Sequence, residues 1–480
     1  MLEKERIKIG WAEADITPSG KCELHGQYYQ RVSKGIHSRL SATVLAVESV
    51  SGDQAIMISV DLTNFPLEFL NTLRVRVKRL APEINPEKIM MNAIHTHSAP
   101  SVSPGRNWWM PEPGAVKTED YRELVLSRLV EAVCYAWKNL SKGAISVTRG
   151  HAVIGHCRRA VFANDNAEMY GDTSRDDFTG LEGNEDSCVE LLFTYDKNKK
   201  PTGVIVNAAC PSQVMEATYQ VSSDFMGELR RLLKSRFGKY FHTLCQISSA
   251  GDQSPRDLVR DRNAGFWSAR GVTILGKRIG DTVLEAYENI SDKDIQNSVE
   301  MEHKVRTIIL PKRFPTYSDR VTAEKELARL EKIMRSKKAF TAFNAEVKRN
   351  EKIQDRPGPY DSKLHHFVLI RNAEAVVKRA AERTKFPDYE MELHILRLGE
   401  TAFCTNPFEL FLDYGLRIKA RSRAGQTFVV QLCCGSASYL PTTTAEKNGG
   451  YGGLIINGIV GSDGGKKLVD ETVNDINALF

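Results

Sequence analysis

The first part of the chain alternates between apolar runs typical of strands and a segment with helical spacing. Ala42–Val50 and Ala55–Leu62 are apolar runs separated by a Ser-Gly-Asp turn, so they predict a pair of strands. The next segment predicts a helix, because its apolar residues recur every three or four positions: Leu70, Leu73, Val77 and Leu80. The short apolar run KIMMNAI then predicts a buried strand. This order is typical of a parallel strand–helix–strand unit.

The same alternation continues downstream. Residues 120–140 predict an amphipathic helix, and the segment SSDFMGELRRLLKSRFG predicts another, capped by Ser222 or Ser223 and ended at Gly238. Apolar runs before and after these helices predict further strands. The pattern favours a mixed α/β fold in which helices flank mixed sheets.

One segment departs from this alternation. Residues 301–390 are rich in Lys, Arg and Glu and have mainly helical spacing. We therefore expect a charged, mostly helical insertion or subdomain there, with residues 1–300 and 391–480 forming the main α/β domain.

Composition narrows the class of protein. The 480 residues carry a net charge of +6, with no basic run interleaved with aromatics, which argues against nucleic acid as a partner. No stretch is long and apolar enough for a transmembrane helix, and the N-terminus does not resemble a signal peptide. We expect a cytoplasmic protein, or a periplasmic or secreted one if a signal was removed. The nine cysteines are scattered and do not indicate a disulfide framework, and the sequence leaves the oligomeric state open.

Two histidines stand where the KIMMNAI strand ends. His95 and His97 are two positions apart, so both rings can lie on one face of an extended segment. Metal sites use such pairs, but a polar strand end has the same local pattern and is commoner. The carboxyl end of a strand in an α/β sheet is nevertheless where ligands bind.

Three other segments carry candidate chemistry, each with an ordinary local alternative. Ser254 lies in AGDQSP, which is also a plain turn, and Glu409 lies in NPFELF, which also suits the first turn of a helix. Tyr439 and Tyr451 lie twelve residues apart around a Gly-rich loop, where tyrosines are more often packing residues.

Taken together, these segments resemble the neutral ceramidase family of metal-dependent amidases. The resemblance rests on GWAEADITP, GIHSRLSATVLAVE, NAIHTHSAPS, AGDQSP, NPFEL and the tyrosine loop YLPTTTAEKNGGYGG, from about residue 8 to about residue 455. It implies the α/β catalytic domain of that family and hydrolysis of an N-acyl bond.

The resemblance also implies a zinc site. His95, Glu409 and Tyr439 match zinc ligands of the family. Cys210, in NAACPSQVME, stands where the family has its second zinc histidine. A cysteine can ligate zinc, but another residue such as His37 or His156 can also complete a site, or Cys210 can be a buried thiol in a chain without metal.

Further roles follow from the resemblance. His97 corresponds to a residue beside the metal that contacts the scissile group or moves its proton, and Tyr451 to a donor to the oxyanion. Ser254 corresponds to the active-site hydroxyl, Arg158 to an arginine that reaches the substrate, and Gly26 to a glycine that lines the pocket.

Trp108 and Trp109 are adjacent in a loop near the histidines and are candidate substrate-binding residues. The resulting hypothesis is a zinc-dependent amidohydrolase acting on a ceramide-like or smaller, lipid-like substrate. Two alternatives stay open: a carbohydrate-active hydrolase or lyase on the same fold, and a non-catalytic binding protein with a decayed zinc site.

Overall fold

The strongly apolar runs of the first three hundred residues form one large mixed sheet. The computed structural model describes residues 5–104, 111–260, 266–350 and 366–480. The eight long strands of this sheet are β1 (Glu5–Asp15), β2 (Ser41–Ser49), β3 (Gln54–Val60), β4 (Ile89–Ala93), β5 (Ser141–His151), β6 (Cys188–Asp196), β7 (Pro201–Ala208) and β8 (His242–Ile247).

The order of these strands is β8-β7-β6-β5-β1-β2-β3-β4, and the short strand Ser298–Val299 pairs with β1 as a ninth. Neighbours are antiparallel except at the two ends, where β3 pairs parallel with β4 and β7 with β8. Four helices accompany the sheet: α1 (Leu67–Leu80), α2 (Thr118–Lys138), α3 (Asp224–Phe237) and α4 (Ala269–Glu288). The crossovers that parallel pairing requires contain α1 and α3.

The sheet bends so that its two ends approach each other. The Ser59 hydroxyl of β3 and the Asn92 amide of β4 both donate to the backbone carbonyl of Cys245 in β8, at 2.6 and 3.1 Å. The carboxyl ends of β4, β7 and β8 therefore open toward one region, and the loops after them meet there.

A smaller sheet follows, and it contains most of the C-terminal strands. Its four strands are β9 (Met301–Pro311), β10 (Asp388–Leu398), β11 (Thr401–Thr405) and β13 (Gln426–Val430). The short strand β12 (Glu409–Leu410) and the helix α8 (Leu412–Arg421) lie between β11 and β13 in the chain. β12 pairs in parallel with β14 (Tyr439–Leu440), outside this sheet. The chain ends with α9 (Thr443–Asn448) and α10 (Ser462–Asn477).

Three helices lie between β9 and β10: α5 (Tyr317–Ile333), α6 (Ser336–Asn350) and α7 (His366–Glu382). Their apolar side chains, including Leu330 and Phe367, pack around Tyr29 of the N-terminal part of the chain. No helix among the described residues is both long enough and apolar enough to cross a membrane.

Short strands of two to four residues complete the structure: Glu23–Leu24, Arg31–Val32, Gly35–Ile36, His156–Cys157, Arg159–Phe162, Ala167–Met169, Phe178–Leu181, Gln220–Val221 and Gln253–Ser254. Two of them, His156–Cys157 and Gln253–Ser254, pair with each other.

The predicted mixed α/β fold with helices flanking mixed sheets is confirmed. Within α1, Leu70, Leu73 and Val77 are fully buried, whereas Leu80, at the last position of the helix, is 71% exposed. Among the described residues of the 301–390 range, the helices are α5, α6 and α7, whereas Met301–Pro311 alternates as a strand and pairs along its length with β10.

A buried ion pair fixes α3 against the end of β3. The guanidinium of Arg230 donates to both carboxylate oxygens of Asp61, and the longer of these two contacts is 2.7 Å. It also donates to the Ser41 hydroxyl at 2.9 Å. Asp61 also accepts the Ser41 backbone N–H at 2.8 Å. Removing the cation leaves a buried, uncompensated carboxylate.

We expect Arg230→Met to lower the free energy of unfolding by about 3–5 kcal/mol, measured by urea denaturation. The matched control is Arg231→Met, because Arg231 is 64% exposed and pairs only with Glu228 one turn away. That change is expected to alter stability by less than about 1 kcal/mol. Equal effects of the two substitutions would contradict the structural role of the buried pair.

Candidate active site

His95 occupies a strained position directly after β4. Its backbone φ is 62°, in the left-handed region that residues other than glycine seldom adopt. Its Nδ1 lies 2.8 Å from the Thr63 carbonyl oxygen. Since a carbonyl only accepts, Nδ1 carries a proton, and Nε2 is directed toward the loops at the ends of the neighbouring strands.

Glu409 and Tyr439 reach His95 from the short parallel pair β12 and β14. They stand directly opposite each other in that pair, and the Tyr439 side chain hydrogen-bonds Glu409. The Glu409 Oε2 atom lies 3.3 Å from His95 Nε2. Arg158 donates to the Tyr439 hydroxyl at 3.0 Å and to the Gly251 carbonyl at 2.8 Å. A continuous chain of polar contacts thus runs from Arg158 to His95.

Charge is shared between His95 and Glu409. Burial opposes the charged form of each, but Glu409 raises the pKa of His95 and His95 lowers the pKa of Glu409. Both shifts favour the charged forms, the imidazolium for His95 and the carboxylate for Glu409.

His97 has a different environment from its neighbour. Its Nε2 lies 3.3 Å from His95 Nε2 and 2.9 Å from the Gln213 amide nitrogen, which donates to it. Its Nδ1 lies 3.2 Å from Glu216 Oε2. Burial and the positive charge of His95 hold the pKa of His97 well below its usual value, so this ring is neutral and its Nε2 is a proton acceptor.

Gly26 lies against the His97 ring. Its φ is 108°, and a Cβ atom at this position would stand 2.7 Å from His97 Nδ1. Only glycine allows the backbone to pass this close. The adjacent Gln27 amide donates to Glu216 Oε2 at 3.2 Å, so this loop holds both the histidine and its carboxylate.

Tyr451 faces Tyr439 on the other side of the site. The two rings meet edge to face with centroids 5.4 Å apart, and the Tyr28 hydroxyl donates to the Tyr451 hydroxyl at 2.9 Å. Burial and the negative charge of Glu409 hold the pKa values of Tyr439 and Tyr451 well above their usual range. Both phenols are therefore neutral hydrogen-bond donors.

The loop that carries Tyr451 is held by a buried arginine. Arg159 donates to the backbone carbonyls of Tyr451 and Gly449, at 2.5 and 2.6 Å, and pairs with Glu182. A five-donor guanidinium satisfies several carbonyls of a loop at once. Hydrogen bonds from Arg159, which lies outside the loop, therefore fix the position of Tyr451.

Ser254 is buried behind these groups. Its short strand pairs with His156–Cys157, and its Oγ accepts the Arg256 backbone N–H at 3.2 Å. Its side chain also hydrogen-bonds Tyr170, which in turn contacts Arg158. Ser254 is connected to the cluster through these two residues.

The four predicted metal ligands lie in two different environments. His95, Glu409 and Tyr439 offer nitrogen and oxygen donors that meet in one buried place. The Cys210 thiol lies 3.0 Å from the Ile154 carbonyl within an apolar cluster, and burial raises its pKa well above the usual value. Its sulfur does not form a group with His95 and Glu409 in which all ligand atoms lie within 4.8 Å. His95, Glu409 and Tyr439 could supply three ligands, and this set stays a prediction, as does the addition of Cys210.

His37 and His156 are occupied elsewhere. His37 Nδ1 lies 3.2 Å from the Ser222 hydroxyl, and His156 Nδ1 lies 3.0 Å from Glu185 Oε1. Trp108 and Trp109 lie outside the described residues, so their predicted contact with substrate stays a prediction.

Four residues of the site have no signal of their own in the sequence: Thr63, Gln213, Glu216 and Tyr28. Gln213 and Glu216 follow Cys210 closely, and Tyr28 follows Gly26 by two positions. Proximity to a matched motif is the one signal that points to them.

Gly26→Ala tests the contact with His97. We expect it to lower the free energy of unfolding more than Gly52→Ala does, by about 1–3 kcal/mol, because the new methyl group overlaps the ring. Gly52 is the matched control: its φ of 89° is also left-handed, but a Cβ atom there meets nothing within 4 Å. Urea denaturation measures both, and equal losses would mean that backbone strain alone accounts for the effect.

Solved structures of neutral ceramidase share this fold. Neutral ceramidase from Pseudomonas aeruginosa has a TM-score of 0.70 and 16% sequence identity, with 99% of this chain and 74% of that chain covered. A structure of ceramidase complexed with C2 has a TM-score of 0.68 and 17% identity, with 99% of this chain and 75% of that chain covered. No protein-family model matches the sequence, and no curated protein matches it. The chain has the fold of neutral ceramidase, as the resemblance of its motifs predicts.

Proposed function

We propose that this protein is a hydrolase that cleaves the N-acyl bond of a ceramide-like or smaller substrate, with zinc held by His95, Glu409 and Tyr439. The observation that carries the proposal is the meeting of His95 Nε2 with Glu409 Oε2 and His97 Nε2, each at 3.3 Å. His97, a proton acceptor, thus lies beside the candidate metal ligands His95 and Glu409 in a fold shared with neutral ceramidase.

The donor set suits zinc. His95 Nε2 and Glu409 Oε2, which lie 3.3 Å apart, and the Tyr439 hydroxyl would hold the ion with nitrogen and oxygen donors of the kind that zinc takes. The Thr63 carbonyl fixes the proton on His95 Nδ1, as in most zinc sites. A zinc ion held there would supply a water of lowered pKa and polarise a carbonyl.

His97 is the proton carrier in this proposal. It is neutral, and once a water replaces the Gln213 amide at its Nε2, this nitrogen accepts a proton from the water as the water attacks the acyl carbon. The Glu216 carboxylate near Nδ1 stabilises the imidazolium that results. The same nitrogen then returns the proton to the departing amine.

Tyr451 and Arg158 act on the acyl group. Tyr451 donates its phenolic proton to the oxygen that becomes negative when water adds, and Tyr28 supports it at 2.9 Å. Arg158 keeps Tyr439 oriented and adds positive charge behind it. Tyr28 is 55% exposed, so the cluster reaches solvent on this side, where substrate enters.

We expect His97→Gln and Tyr451→Phe each to lower kcat/KM for N-acyl hydrolysis by about 10²–10³-fold, because each removes one proton carrier or one oxyanion donor. The matched control is Tyr240→Phe, which removes a phenol that is 78% exposed and should leave kcat/KM unchanged. The assay follows release of fatty acid from short-chain ceramides and from N-acyl amino acids.

The substrate panel includes acidic oligosaccharides. Release of sugar without hydrolysis of any amide would contradict the proposal and indicate a carbohydrate-active enzyme. Tight binding of a panel member without turnover, in zinc-loaded protein, would favour a binding protein instead. Loss of activity on chelation, with recovery on adding zinc, is the expected result for the metal.

The pH profile tests the role of His97. A base must be unprotonated to act, and the pKa of His97 is held well below its usual 6.5. We therefore expect kcat/KM, measured with saturating zinc, to stay constant down to pH 6.5 and to fall only at lower pH. A loss of activity that is already half complete at or above pH 6.5 would contradict a neutral, buried His97 as the base.

A further inference from the structure

A second cluster of metal-ligating side chains lies apart from the proposed active site. Glu392 and His394 stand two positions apart on β10, so they share one face of the strand, and Cys434 reaches them from the loop after β13. The ligand atoms of the three lie within 4.8 Å of one another, and no other trio of His, Cys, Asp and Glu in the described part of the chain does so.

The protonation of this cluster is fixed by a relay of two histidines. His303 Nδ1 lies 2.9 Å from the Gln54 carbonyl oxygen, so it carries the proton and leaves His303 Nε2 as an acceptor. His394 Nδ1 lies 3.0 Å from that acceptor and therefore donates to it. Burial holds the pKa of His303 well below its usual value, which keeps this ring neutral.

As a result, His394 directs Nε2 at the other two groups. This nitrogen lies 2.6 Å from Glu392 Oε1 and 3.4 Å from Cys434 Sγ. Nε2 shares its proton with Glu392. When that proton leaves, the imidazole nitrogen, the carboxylate oxygen and the sulfur are donors that a single divalent ion can bind in its place.

The surroundings match the outer shell of a metal site. Arg74 donates to both oxygens of Glu392, at 2.6 and 2.9 Å, and to the Ile89 carbonyl, and this orients the carboxylate from behind. Ligating carboxylates and histidines are ordinarily held in this way. His394 is fully buried and Cys434 is 4% exposed, so water competes little for the donors.

Cys433 is the candidate fourth ligand. Its sulfur lies 3.8 Å from the sulfur of Cys434. Two thiolates on a tetrahedral zinc ion, with bonds of about 2.3 Å, stand about 3.8 Å apart. Thiolate, imidazole and carboxylate together are the donors of a borderline-soft divalent ion such as zinc.

We infer that Glu392, His394 and Cys434, with Cys433 beside them, bind a structural divalent metal ion of the zinc class. The ion joins the two sheets. Cys434 N–H donates to the Met91 carbonyl of β4 at 2.9 Å, and Glu392 and His394 belong to the small sheet. The ion thereby fixes β4, which carries His95 at its end, against β10.

Cobalt substitution tests this inference without an activity assay. Metal-free protein is titrated with Co²⁺, and a thiolate-to-cobalt charge-transfer band in the near ultraviolet reports a cysteine ligand. We expect the band in the wild-type protein, its loss in Cys434→Ala, and a rise in the thermal unfolding midpoint when wild-type protein binds zinc.

The controls separate this site from the proposed catalytic one. Cys210→Ala and His95→Gln alter the proposed catalytic site and should keep the band. Cys404→Ala removes another fully packed thiol of the same small sheet and should also keep it. Cys433→Ala reports whether the second sulfur is a ligand through the intensity of the band.

The result that overturns the inference is the absence of the band in the wild-type protein, or its loss in Cys210→Ala. Both measurements use proteins with an intact cluster, so they hold even if Cys434→Ala does not fold. Zinc-dependent amide hydrolysis without a thiolate band would leave the proposed function standing and remove this site alone.

Discussion

The structure depends on one buried contact between distant strands. The carbonyl of Cys245 accepts hydrogen bonds from Ser59 and Asn92, which joins the first and last strands of the large sheet. An unpaired buried amide or hydroxyl is unfavourable, so this geometry is strongly preferred once the strands form. Because of it, loops that are more than one hundred residues apart in sequence meet at one place.

One of the contacts that hold the small sheet to this junction is the side chain of Gln431. Its amide oxygen accepts the backbone N–H groups of Ala250 and Leu410, at 2.9 and 3.1 Å. The loop after β8 and the strand that carries Glu409 are thereby held to one amide. His95 keeps a strained φ of 62°, which persists only where the surrounding structure holds the residue, and its ring contacts the Thr63 carbonyl and Glu409.

The sequence predicts the α/β class because hydrophobic spacing is local, and it predicts His95 and Glu409 because their motifs are short and contiguous. It does not predict that Glu409 lies in a strand, since the residues NPFELF suit the first turn of a helix and the partner strand is thirty residues away. Glu216 and Gln213 act through a tertiary contact with His97, and no local pattern marks them. The cluster of Glu392, His394 and Cys434 is assembled from two segments forty residues apart, with no metal-binding spacing between them.

Two clusters of polar groups flank β4, one around His95 and Glu409 and the other around His394 and Cys434. At the end of the strand, the charge lies between His95 and Glu409, near a tyrosine that is 55% exposed, so a water or a substrate can reach it. Beside the strand, His394 and Cys434 are closed off by His303 and Arg74, and a cation there contacts only the protein. Access to solvent separates the two roles: an open position on a cation allows chemistry, whereas a closed one contributes only stability. β4 lies between the two clusters, because its Met91 carbonyl accepts the Cys434 N–H and its carboxyl end leads to His95.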